Sequence, residues 1–224
     1  MCGRFILTAS PEAVSAQFSC RVDWFPPRYN IAPGQPIAVV RVSRGARQFG
    51  LLRWNFVPGW VRDPRRFARL FNARAESLLG KPSFHGAIRY RRCLVPATGY
   101  YLWERPRDGK GRPWLVRCDK APLIAFAGLW EPWLGADGSE VDGALILTVD
   151  AGADVSGFAD RMPAIVSADD YERWLDPDCQ SSGTALGLLR PLAAGSLVVV
   201  PADPRVGNAA NDDPALIAAA GTEG

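Results

Sequence analysis

Glycine and proline interrupt this chain too often for long helices to form. It carries 22 glycines and 19 prolines. Glycine loosens the backbone and proline removes a donor, so each ends regular structure or pushes it to an edge. Between the breaks lie short runs rich in β-branched and aromatic residues, the types that suit a pleated, half-buried surface. They are residues 37–42 (IAVVRV), 48–56 (QFGLLRWNF), 93–103 (CLVPATGYYLW), 113–118 (PWLVRC), 122–130 (PLIAFAGLW), 143–150 (GALILTVD) and 196–201 (SLVVVP). Helix signals are few. Ser10, Pro11 and Glu12 read as the N-cap, first-turn proline and early acid of a helix that runs to Phe18. Residues 73–79 suit a second short helix, Ser167 caps a third over residues 168–175, and residues 203–220 hold turns and a last short helix. The stretch 24–36 (WFPPRYNIAPGQP) reads as an irregular loop long enough to be functional. No repeat, linker or strand and helix alternation is visible. The expected architecture is α+β: a single domain over residues 1–224, with a mixed, largely antiparallel, barrel-like sheet and short helices.

Composition removes several function classes. No apolar run approaches the roughly 18 residues of a membrane span, and the N-terminus lacks a charged-then-apolar leader, so a cytosolic protein with no membrane partner is expected. The five cysteines are Cys2, Cys20, Cys93, Cys118 and Cys179; none lies in a CxxC pair, and His85 is the single histidine, so no zinc set is credible. The net charge of +3 hides a polarity. Residues 1–118 hold 21 Lys plus Arg against 6 Asp plus Glu, whereas residues 119–224 hold 5 against 17. One half can face a polyanion, or the two halves can neutralise each other. The basic half is almost all arginine, whose planar fork suits phosphate and base stacking.

The chain opens Met1, Cys2, Gly3, Arg4, Phe5. Removal of Met1 leaves a cysteine whose thiol stands beside a free α-amine. Such a 1,2-aminothiol condenses with an aldehyde to an imine, which the sulfur closes to a five-membered thiazolidine. The reference pKa values, about 8 for the amine and about 8.5 for the thiol, leave both nucleophiles available near neutrality. Neither metal nor cofactor is needed. The alternative is that Cys2 is simply a small residue after the start.

Eight motifs stand in order: MCGRF at 1–5, RYNIAPGQ at 28–35, WNFVPGW at 54–60, FNARAES at 71–77, RCLVPATGYYLW at 92–103, AGLWEPW at 127–133, ADRMPAIV at 159–166, and VGNAANDDPALI at 206–217. Together they resemble the SRAP family, abasic-site processing proteins that sense damaged single-stranded DNA, and the resemblance covers practically the whole chain. It implies capture of the ring-opened abasic aldehyde on Cys2 as a covalent thiazolidine, together with self-removal of Met1. Asn72 would hold the opened sugar. Arg4 and Arg74, and more weakly Arg161, would bind phosphate; Trp60 and Trp103 would stack on flanking bases. The implied partner is single-stranded DNA containing abasic sites, in the cytoplasm at the nucleoid; no cofactor or metal is implied, and the oligomeric state stays open.

Two positions depart from the family pattern. Where the family reads GFYEW, residues 99–103 read GYYLW, and where it reads IHDRMP, residues 158–163 read FADRMP. Leu102 and Ala159 thus replace the glutamate and histidine that move protons. Positioned acids and bases are worth about 10²- to 10⁴-fold, less than orientation, so capture is expected to slow but survive. Glu104 shares a strand face with Leu102 but sits about 6.6 Å further along, too far to substitute without a bulge. Glu76 either orients Arg74 or caps a surface. A binding module that no longer reacts is the second reading. A third is a class II amidotransferase, which also begins Cys-Gly, but no glutamine-recognition loops follow.

Overall fold

The β-branched runs become strands in the computed structural model, which describes residues 2–104 and 111–218. In chain order they are β1 Arg4–Leu7, β2 Arg28–Ile31, β3 Pro36–Ser43, β4 Ala46–Arg53, β5 Asn72–Arg74, β6 Arg92–Ala97, β7 Gly99–Trp103, β8 Pro113–Cys118, β9 Ile124–Leu134, β10 Glu140–Asp150, β11 Arg161–Pro163, β12 Ile165–Val166 and β13 Leu197–Pro201. The helices are short: α1 Pro11–Phe18, α2 Pro82–Tyr90, α3 Tyr171–Leu175, α4 Ser182–Leu186 and α5 Ala215–Ala218.

Strands β10, β4, β3, β6 and β9 follow one another, and β9 pairs back onto β10, which closes a barrel and removes its edges. The apolar run Cys93–Ala97 of β6 is explained by burial of both its faces: the strand lies between β3 and β9, and α2, α3 and β1 pack against it. Arg44 and Gly45, at φ 52° and 75°, form the two-residue turn between β3 and β4, and positive φ at both positions matches the twist of the strands. A second sheet, β13-β8-β7-β1-β2, is antiparallel throughout. It lies on the barrel through Phe5, whose ring meets Trp54 at 5.2 Å and Phe126 at 5.7 Å, and through Tyr100, 5.9 Å from Phe126. Edge-to-face pairs of this kind add about 0.5–1.5 kcal/mol each beyond the area they bury. They also bring the N-terminus against the barrel. This is the expected α+β, largely antiparallel, barrel-like architecture.

Local expectations fare unevenly. Helix α1 begins as read, with the Ser10 hydroxyl accepting from the Ala13 amide. The expected helix over residues 73–79 is instead the strand β5 followed by a 3-10 turn at Ala75–Ser77, because β5 pairs in parallel with β10 and that pairing overrides a local helix preference. The loop 24–36 contains β2, recruited by β1. Ser167 makes no side-chain cap; a 3-10 turn at Ala168–Asp170 leads into α3. Helices α2 and α4 fall outside the sequence reading.

Candidate active site

Asn72 and Arg74 stand two apart on β5, opposite Ile146 and Thr148 of β10, so both leave the same face while Ala73 points into the core. Their position is set from behind, where the buried Trp54 donates its indole N–H to the carbonyl of Phe71 at 2.8 Å. The Asn72 amide donates to the carbonyl oxygen of Cys2 at 2.5 Å, joining the barrel edge to the start of the chain across 70 residues. Its own Oδ1 is buried without a partner among the described residues. This is an acceptor held ready beside Cys2.

Cys2 itself is only 3% exposed, packed with the core that holds Tyr100 and Leu102. Its thiol lies 3.8 Å from the Arg4 carbonyl. Burial pushes the thiol pKa up to about 12. Burial thus takes away the small thiolate fraction that the reference value allows near neutrality. Met1, whose removal the aminothiol reading requires, lies outside the described residues.

The arginines divide. Arg4 donates to the carbonyls of Gly3 (3.2 Å) and Gly207 (3.3 Å), its Nε is buried without a partner, and burial lowers its pKa. Such a cation favours an incoming anion. Arg74 is exposed and has no carboxylate partner among the described residues. Arg161 is different. Its guanidinium bonds Glu76 at 2.8 and 3.0 Å, Asp150, and the Thr148 carbonyl at 2.6 Å. Burial works against its charge, yet Glu76 and Asp150 raise its pKa above the ordinary value. Glu76 therefore holds Arg161 and is itself held below the carboxylate range by that bond; no ion pair joins it to Arg74.

Arg74 and Arg161 share a cleft of about 570 Å³ with Trp103, Glu104, Phe158 and Ala159. The structure thus brings Cys2 and Asn72 into contact, and Arg74, Arg161 and Trp103 onto one cleft. Trp60 stands apart, 67% exposed, its ring edge-on to Phe67 at 5.7 Å. His85 bonds the Leu79 carbonyl and is exposed. Among the described residues no three His, Cys, Asp or Glu side chains gather as a metal site.

Leu102 is buried in the main core that also holds Cys2, and Ala159 lines the cleft. Glu104 reaches the cleft too, with its Oε2 accepting from the Trp114 indole at 3.1 Å. Sequence reasoning missed Tyr100, whose hydroxyl is buried with no partner and whose pKa burial raises. The signal was present, since Tyr100 stands where the family motif has Phe. Two of the motifs prove structural. The Asn30 amide donates to the carbonyls of Val206, Asn208 and Asn211 at 2.8–3.1 Å, and Asp212 accepts from Arg28 and from the Asn30 amide N–H, so residues 28–35 and 206–217 clasp each other.

The family model described as SOS response associated peptidase (SRAP) matches residues 1–209. Abasic site processing protein YoqW of Bacillus subtilis is 31% identical over 223 residues, covering 97% of this chain and 99% of that protein. Abasic site processing protein HMCES of Xenopus tropicalis is 25% identical over 264 residues, covering 98% of this chain and 78% of that protein. The crystal structure of a protein from Bacteroides thetaiotaomicron superposes with a TM-score of 0.85 at 24% identity, covering 97% and 99% of the two chains, which shows a shared fold. With the motifs, the barrel and the Cys2–Asn72 contact in agreement, the chain belongs to the SRAP family.

Proposed function

We propose that this protein captures abasic sites in single-stranded DNA as a thiazolidine on Cys2, after loss of Met1. The hydrogen bond from Asn72 to the Cys2 carbonyl carries the reading. It ties the nucleophile's own backbone to the strand whose Arg74 lines the cleft, and leaves Asn72 Oδ1 to accept from a hydroxyl of the opened sugar. The printed names of the relatives, abasic site processing proteins, support the substrate. Arg4 and Arg74 fit phosphate, and Trp103, half-buried on the cleft, fits an unstacked base, worth about 1–3 kcal/mol. Arg161 is fitted to organise Glu76 and Asp150 rather than to meet phosphate directly.

The reaction balances without a cofactor. The amine nitrogen adds to the aldehyde carbon, water leaves as the imine forms, and the S–H adds across C=N to close the ring. A thiol pKa of about 12 suits this order, because the sulfur is needed only after the imine exists. Incubation with abasic single-stranded DNA is expected to give a covalent band on a denaturing gel that Cys2→Ala abolishes. A band that persists in Cys2→Ala overturns the reading. The second reading, binding without reaction, is favoured by the 3% exposure of Cys2 and the apolar side chains of Leu102 and Ala159. Retardation on a native gel with no denaturing-gel band selects it.

A further inference from the structure

Two protons must travel from the amine nitrogen to the aldehyde oxygen before water can leave, and in this chain position 102 carries no group to move them. We propose that Glu104 does so in its place. The inference rests on the capture reading and assigns its proton carrier. Strand β7 does not stop functioning as a strand at its last residue: the Glu104 amide donates to the Arg112 carbonyl at 3.0 Å, one rung beyond the Trp103–Pro113 pair. Side-chain alternation therefore continues, and Glu104 shares the face of Tyr100 and Leu102, the two β7 residues buried in the main core that also holds Cys2. The β1 and β7 register runs Ile6 to Gly99, Phe5 to Tyr100 and Arg4 to Tyr101, so the chain leaves β1 toward Cys2 in the direction in which β7 runs toward Glu104.

The carboxylate is also fixed. Trp114, the cross-strand partner of Leu102, gives its indole N–H to Glu104 Oε2, and its ring packs at 4.7 Å on Phe158, the neighbour of Ala159. Oε1 has no partner among the described residues, and Glu104 lines the same cleft as Arg74 and Ala159. In this proposal Oε1 covers from the cleft wall the roughly 6.6 Å that separates position 104 from position 102 along the strand. Of the two departures, Ala159 lines the same cleft as this carboxylate, while Leu102 is buried two residues before it on the same face. Glu104 takes each proton shed by the Cys2 nitrogen and returns it to the oxygen, first making the carbinolamine hydroxyl and then water; the thiol proton goes to nitrogen at ring closure.

The test is the single-turnover rate of crosslinking to abasic single-stranded DNA at saturating protein, which reads chemistry whatever a substitution does to affinity. Glu104→Gln is expected to slow it at least tenfold, the low side of the roughly 10²- to 10⁴-fold typical of a positioned acid or base. Leu102→Glu is expected to restore the rate in the Glu104→Gln background while adding less than threefold to wild type. Trp114→Phe, which keeps the ring and removes the donor, is expected to fall between. A melting temperature within about 2 °C of wild type separates chemistry from misfolding. A Cys2-dependent band that forms in Glu104→Gln within twofold of the wild-type rate overturns the inference and leaves the capture reading standing. Absence of any band in wild type overturns both.

Discussion

Two arginines in sheet regions of this molecule, Arg92 buried and Arg4 half-buried, are handled in opposite ways. At the start of β6 Arg92 is 5% exposed, and every nitrogen of its guanidinium is bonded: Nη1 donates to the carbonyls of Ile88 (2.7 Å) and Arg89 (3.0 Å), while Nε and Nη2 reach those of Trp174 and Asp176. These acceptors lie in the last turn of α2 and at the end of α3, where carbonyls lack intrahelical partners. One cation thereby closes two helix ends, and it favours the negative end of both dipoles. Arg4, at the start of β1, meets two carbonyls among the described residues and keeps a buried Nε unpartnered there. Asn72 Oδ1 and the Tyr100 hydroxyl share that condition. Burial lowers the pKa of both arginines, so their chemistry is alike and their surroundings differ. A structural cation saturates its donors within the fold; a cation built for a ligand leaves room.

The largest effect should come from breaking the saturated one. Arg92→Met keeps the apolar stem and removes every donor, leaving carbonyls of two helix ends unpaired. A loss of about 3 kcal/mol or more in urea unfolding is expected. A loss below 1 kcal/mol would mean that the helix ends find water instead, and the contrast with Arg4 would dissolve. Next in size is the Cys2 thiol. With a pKa near 12 its thiolate fraction rises about tenfold per pH unit between pH 7 and 10 without levelling, so alkylation of Cys2, followed by peptide mass, should climb in the same way. A plateau near pH 8.5 would show a thiol open to water. Third, Arg4→Met should barely alter stability, yet weaken binding to single-stranded DNA about tenfold at low salt and reduce the salt slope by about 0.7. If it destabilises the fold as Arg92→Met does, Arg4 is a second structural arginine.

These differences were unequally legible in the chain. The barrel strands announce themselves through runs such as IAVVRV and GALILTVD, and α1 through Ser10 and Pro11, because neighbours in sequence supply those signals. Cys2, Asn72 and Arg74 were found by motif, but their surroundings were hidden. Cys2 ends up inside the main core that also holds Tyr100 and Leu102, and the withdrawal of Arg161 depends on Glu76, 85 residues away. The NAR segment was misread as helix because the partner that makes it a strand, β10, lies more than 70 residues downstream. Arg92 drew no attention, since an arginine heading an apolar run looks like any strand boundary. What sequence conveys well is local preference; which donors stay unfilled is a property of the finished packing.

The smallest effect sharpens the contrast most. Tyr100 is 1% exposed, its ring packs on Phe126, and its hydroxyl has no partner. A buried hydroxyl without a bond costs about 1–3 kcal/mol, whereas replacing it by an apolar group of the same shape removes that cost. Tyr100→Phe keeps the ring and the edge-to-face contact, so it should stabilise the protein by about 1 kcal/mol, raising the midpoint of urea unfolding with an unchanged slope. If stability falls instead, the hydroxyl is satisfied and does not belong with Arg4 and Asn72 Oδ1. If stability rises while crosslinking slows, the chain retains a costly hydroxyl beside Cys2 for what it does to the aldehyde, and the cleft's unfilled groups act as a set.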